Sequence, residues 1–304
     1  MENRTLPIAL IVYMDKDEFL AEQFIDELSF LAESRVVDLQ RWFMSERFVD
    51  RETTERFQSR INRANLIIIL GSRNLSGSQG LRSLLVGTIF ESQKSNVVIP
   101  IILTPMGNNE MGWLREFDQQ PLPQIATSLF GDRESTDMDV IYHEVVDEIV
   151  EKLIATFFQR PFRGISQKTV FISYSRKNFR RANVIRLAAH RLGYKTWMDK
   201  NNMVGGQNWV NRIDKAIRGS WCLLLIWSNH ARLSEYVNYE WSFAMGNQTC
   251  VIPIMIEKAK VHPRLTIINY LGWQNLTSSH FPWHELQQAL YNAELDYKNG
   301  ACNS

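Results

Sequence analysis

The sequence predicts an α/β protein built from two copies of one unit, each a mainly parallel sheet with helices on both faces. Two observations carry this prediction. Short apolar runs alternate with helix-length amphipathic segments along the chain, the pattern of strands buried on both faces and joined by covering helices. The second half then repeats the first: Tyr13 matches Tyr174, Arg60-Ile61-Asn62-Arg63-Ala64 matches Arg212-Ile213-Asp214-Lys215-Ala216, Ser72 matches Ser228, and Val98-Ile99-Pro100-Ile101-Ile102 matches Val251-Ile252-Pro253-Ile254-Met255. The separation is 161 residues at the first pair and 153 at the last, as differences confined to loops produce. At the spacing of the Pro pair, Gly87 falls opposite Glu240, so the first copy is expected to keep the architecture without the carboxylate.

In order, Pro7 to Tyr13 reads as a buried strand, and Phe19, Leu20, Phe24, Ile25, Leu28, Phe30 and Leu31 recur at helical spacing over 17–32. Val36 to Leu39 is a second short strand. Phe57 and Ile61 mark one side of a helix ending at Ala64, which leads into the strand Leu66 to Leu70. A helix over 81–93 precedes a strand over 96–103, and 105–123, with its glycines, prolines and Trp113, reads as irregular. Ile141, Val145, Ile149 and Leu153 recur every four residues, giving 138–158 a wide apolar helical face. The domains are therefore set at 1–160 and 168–304, with a linker at 161–167 where Pro161 and Gly164 end the helix. The second unit opens with Thr169-Val170-Phe171-Ile172-Ser173-Tyr174, continues through the apolar run Trp221 to Trp227, and reaches a last run at Val251 to Ile256. In parallel sheets ligands bind beyond the carboxyl ends of the strands, so any site is expected just after these runs.

A chain of 304 residues with 45% hydrophobic residues fills two modest cores. Its formal net charge of +1 advertises neither specific nucleic acid nor an anionic membrane as partner. Cys222, Cys250 and Cys302 give no paired framework and no metal spacing, and the two in or beside strand-like runs, Cys222 and Cys250, are expected as buried thiols of a reducing compartment. No basic leader with a hydrophobic core opens the chain, and no apolar run approaches membrane-spanning length. A soluble cytoplasmic protein is the expectation. Seven of the nine tryptophans, from Trp197 to Trp283, follow the linker, as core packing or as stacking faces of a pocket.

An ordered set of short motifs now becomes recognisable. Val170-Phe171-Ile172-Ser173-Tyr174-Ser175, Tyr194-Lys195-Thr196-Trp197-Met198-Asp199, Gly206-Gln207-Asn208-Trp209, Ile213-Asp214-Lys215-Ala216-Ile217 with Ser220, Leu225-Ile226-Trp227-Ser228, and Tyr239-Glu240-Trp241 before Val251-Ile252-Pro253-Ile254 together resemble the Toll/interleukin-1 receptor, or TIR, domain. The resemblance covers about 168–292, and the N-terminal unit looks like a divergent copy. It implies flavodoxin-like units, each with a roughly five-stranded sheet. Members of the family include assembly modules and bacterial-type defence enzymes that cleave NAD+ at the nicotinamide ribosyl bond.

By that resemblance Glu240 matches the catalytic glutamate, and Tyr174, Ser175, Arg176, Asp199, Gly206, Trp227 and Tyr236 belong to the NAD+ pocket or its loop. A carboxylate beside the ribose stabilises an oxocarbenium-like transition state or traps it as an ester. Nicotinamide leaves neutral, so no strong general acid is required. Hydrolysis to ADP-ribose and cyclisation both remain open, and NAD+ enters as substrate with no further cofactor. Tyr236 stands where the family often has tryptophan four residues before its glutamate. Glu235, five residues from Glu240, is poorly phased to pair with it. The alternative for Glu240 is a solvated helix charge, and for the whole unit a noncatalytic scaffold that assembles with itself or a defence-system partner.

The remaining motifs are weaker. Asn178 is expected to cap the following helix. Asp199 to Gly206 reads as the loop that closes over substrate or reaches a neighbouring TIR domain, with Gly205-Gly206 granting backbone freedom. Neither a GxGxxG element nor a Walker lysine is present. His280 and His284 flank Pro282 without a third ligand, so no metal site is expected. Ser228 lacks a nucleophile elbow and a placed His/acid pair.

Overall fold

The computed structural model describes residues 6–46, 50–92, 97–118, 120–123, 128–130, 138–158, 168–199, 207–266, 268–273 and 281–302, with the side chains of 207–209 outside that set. The chain divides into two compact units, Met1–Phe157 and Phe158–Ser304.

The first unit runs β1 (Ile8–Met14), α1 (Glu18–Glu33), β2 (Asp38–Met44), α2 (Arg51–Arg63), β3 (Leu66–Gly71), α3 (Arg73–Gly77), α4 (Gln79–Phe90), β4 (Val97–Ile102), α5 (Asn108–Met111) and α6 (Met138–Phe157). Its strands are parallel in the order β2-β1-β3-β4, four among the described residues where five were expected. The second strand begins two residues later than the apolar pattern suggested and extends to Met44. As an edge strand it needs only one buried face, which hides it from a search for continuous apolar runs.

The second unit runs β5 (Thr169–Ser173), α7 (Phe179–Arg191), β6 (Thr196–Met198), α8 (Gln207–Arg218), β7 (Ser220–Trp227), α9 (Asn229–Leu233), α10 (Glu235–Gly246), β8 (Cys250–Met255), β9 (Leu271–Gly272) and α11 (Trp283–Asn299). Its five parallel strands lie in the order β6-β5-β7-β8-β9. This is the flavodoxin-like order, whose strand sequence reverses between β5 and β7 and opens a crevice at their carboxyl ends. Every residue of β7 is buried, as a central strand covered on both faces requires. One core joins Phe171, Leu223 and Leu225 of the sheet to Ile213 and Ile217 of α8 and to Trp241 of α10.

The two units are cut to one local plan. Ser72 and Ser228 cap the short helix after the central strand, accepting from Leu75 N and Ala231 N at 3.2 and 2.9 Å. Six residues later Ser78 and Ser234 precede α4 and α10, and both helices are 12 residues long. The spacing is thus 156 residues throughout this segment, and it drops to 153 only in the loop before β4 and β8. The expected match of Gly87 to Glu240 is therefore corrected: Leu84, sixth residue of α4, stands where Glu240, sixth residue of α10, stands. The Pro pair reported a loop deletion that lies after the helix.

Two further expectations are overturned. Cys250 and Cys302 are joined as a disulfide, with their Cα atoms 4.7 Å apart, so these are not unpaired thiols. Gly300, at φ 68°, ends α11 in the left-handed conformation, and Ala301 N turns back to Asp296 O at 2.8 Å. That reversal carries Cys302 to the first residue of β8, a proximity that sequence spacing does not encode. Cys222 remains a free thiol, and burial pushes its pKa up. Asn178 makes no side-chain cap on α7; its carbonyl oxygen instead accepts from Ser228 Oγ at 2.7 Å.

Candidate functional site

The site is built at the carboxyl end of β5. Val237, Glu240, Trp241 and Ala244 share the buried face of α10, at the three- and four-residue spacing that places side chains together on a helix. Glu240 is only 6% exposed, so it is not a solvated helix charge. Ser173, the last residue of β5, donates its hydroxyl to Glu240 Oε2 at 2.6 Å. A glutamate from the helix after the central strand thus reaches the neighbouring strand at the sheet's switch point.

Burial pushes the Glu240 carboxyl up to about 8; the Ser173 hydrogen bond opposes the rise and the charge of Asp199 adds to it. Asp199 follows β6 and pairs with Arg212 Nη2 of α8 at 2.5 Å. Arg212 Nε is buried with no hydrogen-bond partner among the described residues, an unspent donor beside the same carboxylate. The Tyr174 hydroxyl donates to Asp199 O at 3.0 Å, tying the ends of β5 and β6 together. Glu240, Ser173, Asp199, Arg212 and Tyr174 therefore form one polar cluster over the crevice.

The other expected residues are distributed differently. Ser175 is half-buried ahead of the turn Arg176–Asn178, in which Arg176 is exposed. Gly206 and the rest of the loop over 200–206 lie outside the described residues. Tyr236, one turn before Glu240, is 53% exposed. Trp227 is buried, and its indole N–H donates to Lys260 O at 3.2 Å. It lines a separate cavity of about 680 Å³ with Trp241, Arg232, Lys260, His262 and Arg264, which Glu240 does not line. Sequence reasoning missed Ser173 and Arg212 as site residues. The signal for Ser173 was a hydroxyl closing an otherwise apolar strand; Arg212 gave none apart from its place in the repeat.

The model of the TIR-domain family matches residues 170–290. This stretch, about two fifths of the chain, is thus similar to a TIR domain. The match begins after the N-terminal unit, which shares the plan of the second unit through the paired elements described above. Among solved structures, the TIR domain of the Toll-related receptor TRR-2 from Hydra magnipapillata is similar at 22% identity, covering 40% of this chain and 98% of that one with a TM-score of 0.34. A carbohydrate transporter from Acidothermus cellulolyticus 11B, in complex with myo-inositol, aligns with 98% of this chain and 89% of its own at 11% identity and a TM-score of 0.25. Neither alignment bears on function. No curated protein matches the chain. Among the described residues, no helix is long and apolar enough to cross a membrane, and no group of three His, Cys, Asp or Glu side chains is placed to hold a metal ion.

Proposed function

We propose that this protein signals through its TIR domain by assembling with itself or with a partner, and that the assembled domain cleaves NAD+. The family match supports the first, coarser statement. The finer one rests on a single observation: a buried glutamate with a pKa near 8 stands at the switch point of the sheet, held by Ser173.

In this reading Glu240 is needed as the carboxylate. The positively charged nicotinamide ring lowers its pKa on binding, since an opposite charge favours the ionised form. The carboxylate orients the ribose hydroxyls and stabilises positive charge developing at the anomeric carbon. The bond to nicotinamide breaks with its electron pair going to the ring nitrogen, and the base departs neutral. Water then adds to the anomeric carbon and loses a proton to Glu240, giving ADP-ribose; attack by an atom of the adenine end gives a cyclic isomer instead. NAD+ is the substrate and no resident cofactor takes part. NAD+ depletion or a cyclic nucleotide signal in the cytoplasm suits an antiviral or cell-suicide role.

A noncatalytic scaffold is the second reading, and one observation favours it. Ser173 already occupies a Glu240 oxygen. Product-resolved chromatography of concentrated protein with NAD+, beside Glu240→Gln at matched assembly state, decides between them. Nicotinamide release that disappears in the variant supports the enzyme. Equal traces from both proteins, dilute and crowded, leave the scaffold.

A further inference from the structure

The first unit carries its own cavity at the place where the second carries the Glu240 cluster, and its chemistry is inverted. Tyr13 and Tyr174 align the two first strands, so Val12 stands for Ser173. Val12 pairs with Trp42 across β1 and β2, while Ser173 follows Ile172, the register partner of Met198, and so lies beside Asp199. Trp42 thus stands for Asp199, and Leu84 stands for Glu240. Both carboxylates and the hydroxyl are gone, replaced by an indole and two aliphatic side chains. The arginine is kept. Arg60 of α2 matches Arg212, and its guanidinium lies 5.8 Å from the Trp42 ring centroid where Arg212 pairs with Asp199.

What the replacement leaves is a cavity of about 390 Å³ between the carboxyl half of β2, α2 and α4. Trp42 and Phe57 form an aromatic wall, with ring centroids 5.4 Å apart, and Leu84 lies among the lining residues on α4. Arg56 and Arg60 also line the cavity, together with Thr53 and Thr54 in the first turn of α2. No Asp or Glu is among the described lining residues. Arg60 has Gln40 as a neighbour at 3.1 Å, whereas Arg41, next to Trp42 on the strand, is turned to the opposite face of the sheet and pairs there with Glu22 of α1.

We infer that this cavity binds a nucleoside phosphate and does not cleave it. A flat heterocycle stacks on Trp42, which the buried Phe57 backs, as bases do on aromatic faces. Its phosphate is held by Arg56 and Arg60, whose guanidinium groups match phosphate geometry with paired donors. The size lies at the small end of ligand cavities, about 300–1,000 Å³, and suits one nucleoside phosphate rather than a dinucleotide. Without a carboxylate at position 84 there is nothing to support charge at an anomeric carbon, so the ligand is retained intact. The inference is independent of NAD+ chemistry in the second unit.

Calorimetric titration of the full chain tests it with ADP and GDP, and with adenosine and ribose 5-phosphate as half-ligands. At least one of the two nucleotides is expected to bind a saturable site that persists in Glu240→Gln. Each half-ligand is expected to bind at least about tenfold more weakly. Leu84→Glu puts a carboxylate back and should abolish the site, and Arg56→Gln, at an exposed position outside the core, should weaken it about tenfold with a smaller salt dependence. Circular dichroism checks that Leu84→Glu folds, and Arg56→Gln keeps the test decisive if it does not. Absence of binding by both nucleotides, or binding unchanged by Arg56→Gln, would overturn the assignment.

Discussion

Ser173 donates to Glu240 across 2.6 Å, joining the last residue of one strand to the middle of a helix 67 positions later. The contact holds in either protonation state of the carboxyl, because the oxygen accepts in both. What changes with protonation is its strength, and a hydrogen bond to the ionised form is the stronger.

Replacing the carboxyl should therefore alter both chemistry and stability. In Glu240→Gln the NAD+ cleavage proposed above is expected to fall by at least about 100-fold. The stability effect has a defined sign. The folded pKa, about 8, lies above the ordinary 4.5, so between these values the folded state holds a proton that the unfolded state has lost. Wild-type stability should fall as pH rises through that window, with the full cost, of the order of several kcal/mol, present above it. The variant lacks this slope. Urea midpoints at about pH 5, 7 and 9 check it, and parallel pH dependences would show that Glu240 titrates normally.

Ser173→Ala should push the Glu240 pKa higher still, because the hydroxyl is the one group that favours the ionised form. Any activity that depends on the carboxylate then moves to higher pH. Carbon-13 NMR titration of labelled glutamate reads the shift without requiring turnover, and an unmoved midpoint would contradict the assigned role of the hydrogen bond.

Arg212→Gln removes the partner of Asp199 and leaves that charge closer to unopposed beside Glu240. The expected results are a further rise in the Glu240 pKa and a stability loss of about 1 kcal/mol, held down by the partial exposure of the pair. Combining it with Asp199→Asn should recover most of the pKa change, since the like charge that Arg212 balances is then gone.

Cys302→Ser should lower the denaturation midpoint under oxidising conditions by the equivalent of about 2–4 kcal/mol, the usual contribution of one bridge. In excess reductant the wild type and the variant should coincide. A difference that survives reduction would mean that Cys302 contributes through packing and not through its bond to Cys250.

The architecture was legible because strands covered on both faces must be apolar throughout, and β3, β7 and β8 are. The edge strand β2 was misplaced because half its residues face outward. Glu240 was legible only through resemblance: a lone glutamate among aromatics carries no local sign that its helix turns it inward, and burial follows from the phase set by Val237, Trp241 and Ala244. Arg212 was hidden because its partner lies on another strand's exit loop. The match of Leu84 to Glu240 needed the helix boundaries, since the loop behind them had lost three residues and shifted the numbering.

The two outer strands of the second unit, β6 and β9, span three and two residues. Ladder pairing with another chain needs a longer row of unpaired backbone groups than these supply. In the assembly proposed above, edges this short are poor templates for extending one sheet into the next, the route by which strand edges recruit whatever chain is nearby. Domains that come together are left to recognise one another by the shape and charge of helices and loops.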